Sequence, residues 1–256
     1  MTEPLGPLDA LFLHMEDGVS HMHIGSCSIF AAPPPSIDDL MALVRSKLPV
    51  LTRYRQKVRF VPAGLGHPVW VDDPHFNLSY HVRHSALPPP GDGEALESLV
   101  GRLMSQELDR HRPLWELWMI EGLADGRWAL IAKVHHCMVD GISGTDLMAQ
   151  LLDTDPKATT GPTQAWTPRP EPSDLQLTVD AFGRMITRPM RKAMTWRPRS
   201  RQPGNAWAKV GEVAAGLRSL SSRVLIPAKQ VSLEGSIGPH RRWAPAVCSL
   251  GDAKFI

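Results

Sequence analysis

Two adjacent histidines, His135 and His136, followed by Asp140 and Gly141, are the residues of this chain best suited to do chemistry. A neutral imidazole takes a proton from a hydroxyl near neutral pH, provided that its tautomer and ring orientation are fixed. An aspartate four residues on can hold the backbone, or an arginine that frames the base. The glycine after it lets the chain turn tightly and approach a ligand closely. Cys137 sits inside the same stretch and reads either as a thiol nucleophile or as a small buried side chain. His136 and Asp140 could also ligate a metal, but ligands four apart suit one helical face and this pair falls across a turn.

The elements around these residues must aim them. Residues 128–136 alternate: Trp128, Leu130, Ala132, Val134 and His136 share one face of a strand, and Ala129, Ile131, Lys133 and His135 share the other. The two histidines therefore point in opposite directions, and only one can enter a given pocket. Asp140 is a good helix N-cap, after which Ile142, Leu147, Met148, Leu151 and Leu152 recur at helical spacing. Upstream, residues 114–121 (LWELWMIE) read as a strand that forms a hairpin with 128–136 through the turn 122–126.

The spacing HHxxxDG resembles the signature of the chloramphenicol acetyltransferase-like acyltransferases. The resemblance implies that the second histidine, His136, is the general base. Asp140 and Gly141 then set the turn, and His135 packs behind it.

Earlier segments follow the same logic. Residues 4–17 carry Leu8, Leu11 and Phe12 on one helical face, and 21–31 read as a strand ended by Pro33-Pro34-Pro35. Ser36 caps a helix to about Leu48, with Leu40, Leu43, Val44 and Leu48 inward. Residues 53–61 and 69–71 read as paired strands around Gly64-Leu65-Gly66, residues 75–84 as an extended segment, and 94–109 as an amphipathic helix. Strand, helix, strands, helix, hairpin and helix in that order predict an α+β fold, a mixed β-sheet with helices packed on it.

Composition bounds the rest. With 256 residues and 43% apolar content, the chain can bury a sizeable core as one large domain or two small ones. A net charge of +2 argues neither for nor against nucleic acid. Cys27, Cys137 and Cys248 are widely spaced without a CxxC, which suggests a reducing, cytoplasmic setting. No run of 18 apolar residues and no signal-peptide pattern is present, so neither a membrane span nor a leader is expected.

Pro113-Leu114-Trp115, Glu116 and Gly122-Leu123, together with PLDALFLHMED at 7–17, resemble the wax ester synthase/diacylglycerol acyltransferase family. That resemblance runs from about Leu5 to Asp153 and continues weakly to Ile256. It implies one half of a two-domain architecture whose active site lies between similarly folded halves. Residues 1–154 are then the N-terminal acyltransferase half. Residues 155–173, with Pro156, Pro162, Pro168, Pro170 and Pro172, read as a Pro-rich linker. Residues 174–239 form a basic helical crossover in which Pro189 kinks or ends the first helix, and 240–256 begin a truncated second half.

The activity implied is acyl-CoA-dependent O-acyl transfer to diacylglycerol or a long-chain alcohol, giving triacylglycerol or wax ester. No cofactor beyond acyl-CoA as co-substrate and no metal is implied. The other reading is a non-catalytic or partner-dependent half that needs a complementing C-terminal half. Pro113, Leu114 and Trp115 are candidates to touch substrate; Trp115 and Trp118 read equally as packing for a sheet face. Residues 181–211 hold eight Lys or Arg and no Asp or Glu, with Trp196 and Trp207 among them. Such a segment suits an anionic membrane or lipid-droplet surface, or a solvated connector. A nucleic-acid partner is not expected, because no DNA-binding motif accompanies it.

Overall fold

The computed structural model describes residues 2–139, Met148, Leu151, Leu152, 166–195 and 237–254. The strands are β1 (Glu3–Pro4), β2 (His23–Phe30), β3 (Gln56–Arg59), β4 (Val69–Asp72), β5 (Val82–Ala86), β6 (Trp115–Glu121) and β7 (Trp128–His135). The helices are α1 (Pro7–Met15), α2 (Ile37–Lys47), α3 (Leu78–His81), α4 (Gly93–Met104), α5 (Asp174–Thr195) and α6 (Leu250–Ala253). Residues 1–181 and 238–256 form one compact unit and 182–237 a second, of which 182–195 and Ile237 are described.

The expected mixed sheet is present as four strands in the order β2-β7-β6-β5, antiparallel except for the parallel pair β5–β6. The sequence did not separate the remaining strands from it. β1, β4 and β3 form their own antiparallel sheet, because the 56–59 and 69–72 strands pair with each other and with Glu3-Pro4.

The alternation of β7 divides the core. Leu130, Ala132 and Val134 join Trp115, Leu117 and Met119 in one apolar cluster with Ala10 and Leu13 of α1 and Leu40 and Val44 of α2. Ala129 and Ile131 join Ile120 in a second cluster with Leu96, Leu99, Val100 and Leu103 of α4. Each face of the sheet thus has its own helical cover, the arrangement that buries a two-faced strand.

Local chemistry sets the ends of these elements. Ser36 and Asp39 form a reciprocal capping box at the start of α2. Asp92 caps α4 by accepting the Ala95 N–H at 2.9 Å. That helix ends at Met104, five residues short of the expected Asp109. The buried Lys133 ammonium donates there to the carbonyls of Leu103, at 3.0 Å, and Gln106. A cation on the C-terminal carbonyls complements the helix dipole, although burial still pushes the Lys133 pKa down. Residues 75–84 are not extended throughout: Asn77 accepts the Ser79 N–H at 3.1 Å and turns the chain into α3 before β5 begins. The loops before α4 and after β6 cross at Gly91, whose φ of 69° and lack of a Cβ let it pack on the Gly122 carbonyl.

The described part of the Pro-rich stretch, 166–173, has no regular structure but is fastened down. The Arg169 backbone N–H and guanidinium donate to the Asp72 carboxylate at 3.0 to 3.3 Å. Lys57 pairs with Glu171 at 3.0 Å, and the Arg55 guanidinium lies over the Trp166 ring. Leu177 and Ala181 of α5 then pack with Val61, Val69 and Val71. Pro189 does not end α5, which continues to Thr195. Near the other end of the chain, Arg241 donates its N–H to Ser105 Oγ at 2.7 Å, and Trp243 packs against the cluster under α4. No helix among the described residues is long and apolar enough to cross a membrane.

His81 is 1% exposed, stacked between Phe76 and Trp115, and donates Nδ1–H to the Trp115 carbonyl at 2.8 Å. Burial pushes its pKa down to about 4 from 6.5, and burial does the same to His23. The unfolded imidazoles take up protons below 6.5, whereas the folded ones resist until about 4, so stability falls as pH drops through that window. Thermal melts across pH 4 to 7 should record this loss. His81→Phe, which keeps the stacking, should remove roughly half of the histidine-linked part.

Candidate active site

β7 delivers its last residues into a single helical turn, His136–Met138. Both histidines are tied by their backbones. The His135 N–H donates to the Leu114 carbonyl at 3.0 Å, and the His136 N–H donates to the Met22 carbonyl at 2.8 Å. Side-chain alternation then separates them, as the strand pattern predicts. His135 has no exposed surface, and its Nδ1 accepts the Cys137 N–H at 3.1 Å. With Nδ1 accepting, the ring proton is assigned to Nε2.

The His135 Nε2 lies 3.5 Å from Glu16 Oε2, off line for a full hydrogen bond, so the contact is one of charge and dipole. Glu16, at the C-cap of α1, is a junction. Its Oε1 accepts the Met22 N–H at 3.1 Å, and its Oε2 accepts Arg110 Nη2 at 2.7 Å and Nε at 3.1 Å. Arg110 also donates to the Leu13 carbonyl at the end of α1. Burial alone would raise the Glu16 pKa, but the His135 ring, Arg110 and the Met22 N–H outweigh it and hold the carboxyl down to about 2.

His136 is half-buried and stacks on Phe12 of α1, with ring centroids 4.7 Å apart and planes at 24°. Among the described residues no side chain hydrogen-bonds its ring. An apolar cavity of about 120 Å³ lies beside β7, lined by Ile24, Tyr54, Ala132, Val134, Val139 and Met148 among others. Ala132 and Val134 belong to the strand face that His136 continues. A half-buried imidazole of fixed orientation can take a proton from a hydroxyl.

A family profile described as the wax ester synthase/diacylglycerol acyltransferase catalytic domain matches residues 5–256. The chain belongs to that family. It is similar to a Mycobacterium tuberculosis protein named as a probable diacylglycerol O-acyltransferase, tgs1, at 36% identity over 98% of this chain and 52% of the relative. Another such protein of that organism, tgs3, is 32% identical, over 100% of this chain and 96% of the relative. The chain thus spans about half of one relative and nearly all of the other. The solved wax ester synthase/diacylglycerol acyltransferase from Marinobacter aquaeolei VT8 is similar at 32% identity and a TM-score of 0.53, over 75% of this chain and 47% of that one.

In this family member the two motif histidines come together with a partner that sequence reasoning missed. Glu16 stands in the PLDALFLHMED stretch, at the C-terminal end of a helix. There the dipole disfavours an acid, and that misfit is the signal that it needs a cationic partner. Asp140 and Gly141 lie outside the described residues. Pro113, Leu114 and Trp115 are all buried; Leu114 supplies the carbonyl that holds His135. Trp115 has no exposed surface and donates its indole N–H to the Tyr54 carbonyl at 2.8 Å. Trp118 is half-buried and donates to Glu116. Among the described residues no cluster of three His, Cys, Asp or Glu could hold a metal ion.

Cys137 is buried, and burial together with nearby Asp9 and Glu16 pushes its thiol well above the ordinary range. Iodoacetamide at pH 8 should therefore label the exposed Cys248 readily and leave Cys137 unmodified until the protein unfolds. Mass mapping of the labelled cysteines reads this directly, and fast native labelling of Cys137 would contradict it.

Proposed function

We propose that this chain carries the base-bearing half of an acyl-CoA-dependent O-acyltransferase acting on diacylglycerol or a long-chain alcohol. The observation that carries the reading is the half-buried His136 ring just beyond β7, stacked on Phe12. His136 takes the proton of the acceptor hydroxyl as its oxygen attacks the thioester carbonyl. The carbon–sulfur bond breaks, coenzyme A leaves, and the imidazolium returns the proton to the departing thiolate. One base and two aligned substrates suffice, so no acyl-enzyme is needed. The HHxxxDG resemblance gives Asp140 and Gly141, which lie outside the described residues, an architectural role in the motif.

A second reading has one specific support: tgs1 is about twice as long as the segment it shares with this chain. Under it, activity requires a complementing C-terminal half. Transfer from labelled acyl-CoA to diacylglycerol and to hexadecanol, by the chain alone and by the chain with a second half, separates the two. In whichever form is active, His136→Ala should lower turnover at least about 100-fold, the usual scale for losing a general base. Cys137→Ala should leave turnover near normal. Asp140→Ala should cost about 1 kcal/mol of stability, the usual scale for losing an N-cap. Near-normal turnover in His136→Ala would remove the base assignment.

Lipid acceptors place the protein at an interface, as a cytoplasmic protein on a membrane or droplet surface. Leu175 and Val179, one turn apart on α5, are 74% and 60% exposed, and the basic run 181–211 follows. Most of that run, with Trp196 and Trp207, lies outside the described residues. Each basic residue contributes about 1 kcal/mol at best on an anionic surface. Co-sedimentation with anionic vesicles should weaken as salt rises, and joint replacement of Arg188, Arg191, Lys192, Arg197 and Arg199 by Gln should largely abolish it. Equal binding to neutral and anionic vesicles would leave a solvated connector as the better account.

A further inference from the structure

We infer that Glu16 is a positioning residue for the HHxxxDG turn, acting on both histidines from the C-terminal end of α1. The proposal deepens the acyl-transfer reading and rests on it for its kinetic consequence.

Three connections converge on this side chain. First, Met22 links it to the base. The Met22 N–H donates to Glu16 Oε1, and the Met22 carbonyl accepts the N–H of His136. A single residue thus separates the carboxylate from the backbone of the proton-taking histidine. Second, Oε2 faces Nε2 of His135, the ring nitrogen that must carry the proton because Nδ1 accepts the Cys137 N–H. The negative charge favours that tautomer and that ring orientation, and the oriented ring in turn supports the turn at Cys137. Third, the helix that ends at Glu16 presents Phe12 one turn earlier, and Phe12 stacks on the His136 ring.

An ion pair alone does not account for this arrangement. Of the two carboxylate oxygens Arg110 engages only Oε2, leaving Oε1 to Met22, and the Glu16 side chain is 6% exposed while Arg110 is 37% exposed. A carboxylate at a helix C-terminus runs against the dipole. Arg110 offsets this by donating to the Leu13 carbonyl while it binds the acid. The function of the pair is therefore to fix α1 and its last residue under the turn. Glu16 touches no reacting atom; it acts through His135 and Met22.

The test compares the full chain, with its second half where that is required, as wild type, Glu16→Gln and Glu16→Asp. Long-range proton–nitrogen spectra of the histidine rings, assigned with His135→Gln and His136→Ala, read tautomer and ring environment without any turnover. Wild-type His135 should show the Nε2–H form. In Glu16→Gln that form should lose population and the His136 ring signals should shift. Acyl transfer should fall about 100-fold in kcat, the scale of a misplaced catalytic group, with KM for either substrate changed less than threefold. Glu16→Asp keeps the charge and should recover part of kcat, which a loss of fold would not allow. If Glu16→Gln does not fold, Glu16→Asp alone carries the comparison, and its His135 tautomer should be retained with a reduced kcat. Unchanged ring spectra and kcat in the variants would overturn the proposal. If no form of the wild type transfers acyl groups, the acyl-transfer reading fails, and the ring spectra still decide the role of Glu16.

Discussion

A carboxylate with almost no exposed surface stays charged only where several donors converge on it, and that requirement organises the site end of this molecule. Glu16 meets it with Arg110, the Met22 N–H and the His135 ring. To bring those donors together, the end of α1, the segment entering β2, the residues after α4 and the end of β7 must all meet at one point. The charge is thus a condition on the fold as much as on the site. Few other packings of the same elements would satisfy it, since a buried unpaired carboxylate costs several kcal/mol.

The central strand makes the site possible by its two-sidedness. β7 is hydrogen-bonded on both edges, so its pleat leaves no choice about where each side chain goes. One histidine is carried into the protein and the other is left half-buried against Phe12. The strand then stops, and the backbones of its last residue, His135, and of His136 just beyond it are held by Leu114 and Met22 respectively. The His136 ring therefore hangs from a backbone that is hydrogen-bonded directly beyond the strand, which favours a reproducible orientation.

Much of this was legible in the sequence. The alternation of 128–136 assigned the faces of β7, and Ser36 marked the start of α2. The pattern at 114–136 gave the hairpin. These features depend on neighbours close in sequence. What was not legible depends on partners far away. That 56–59 and 69–72 form a separate sheet follows from their pairing with residues 3 and 4. The early end of α4 follows from Lys133, nearly thirty residues later. Residues 75–84 were misread because an Asn side chain competing for a backbone N–H leaves no periodic trace. Glu16 carried a faint sign in its unfavourable helix position, but nothing local named Arg110 or His135 as its partners. Trp115 was open to two roles by pattern; its complete burial against Tyr54 and His81 is a tertiary fact.

The buried ammonium of Lys133 also acts as a register mark. Side chains on a strand have a period of two, so sliding β7 by one residue exchanges its faces. In an all-apolar strand such a slip would cost little, because Leu, Ile, Ala and Val fit either side. Here it would drive Lys133 into the cluster under α1 and α2, away from the carbonyls of Leu103 and Gln106. It would also exchange His135 and His136. The lysine thereby determines which of two identical imidazoles is buried beside Glu16 and which stacks on Phe12.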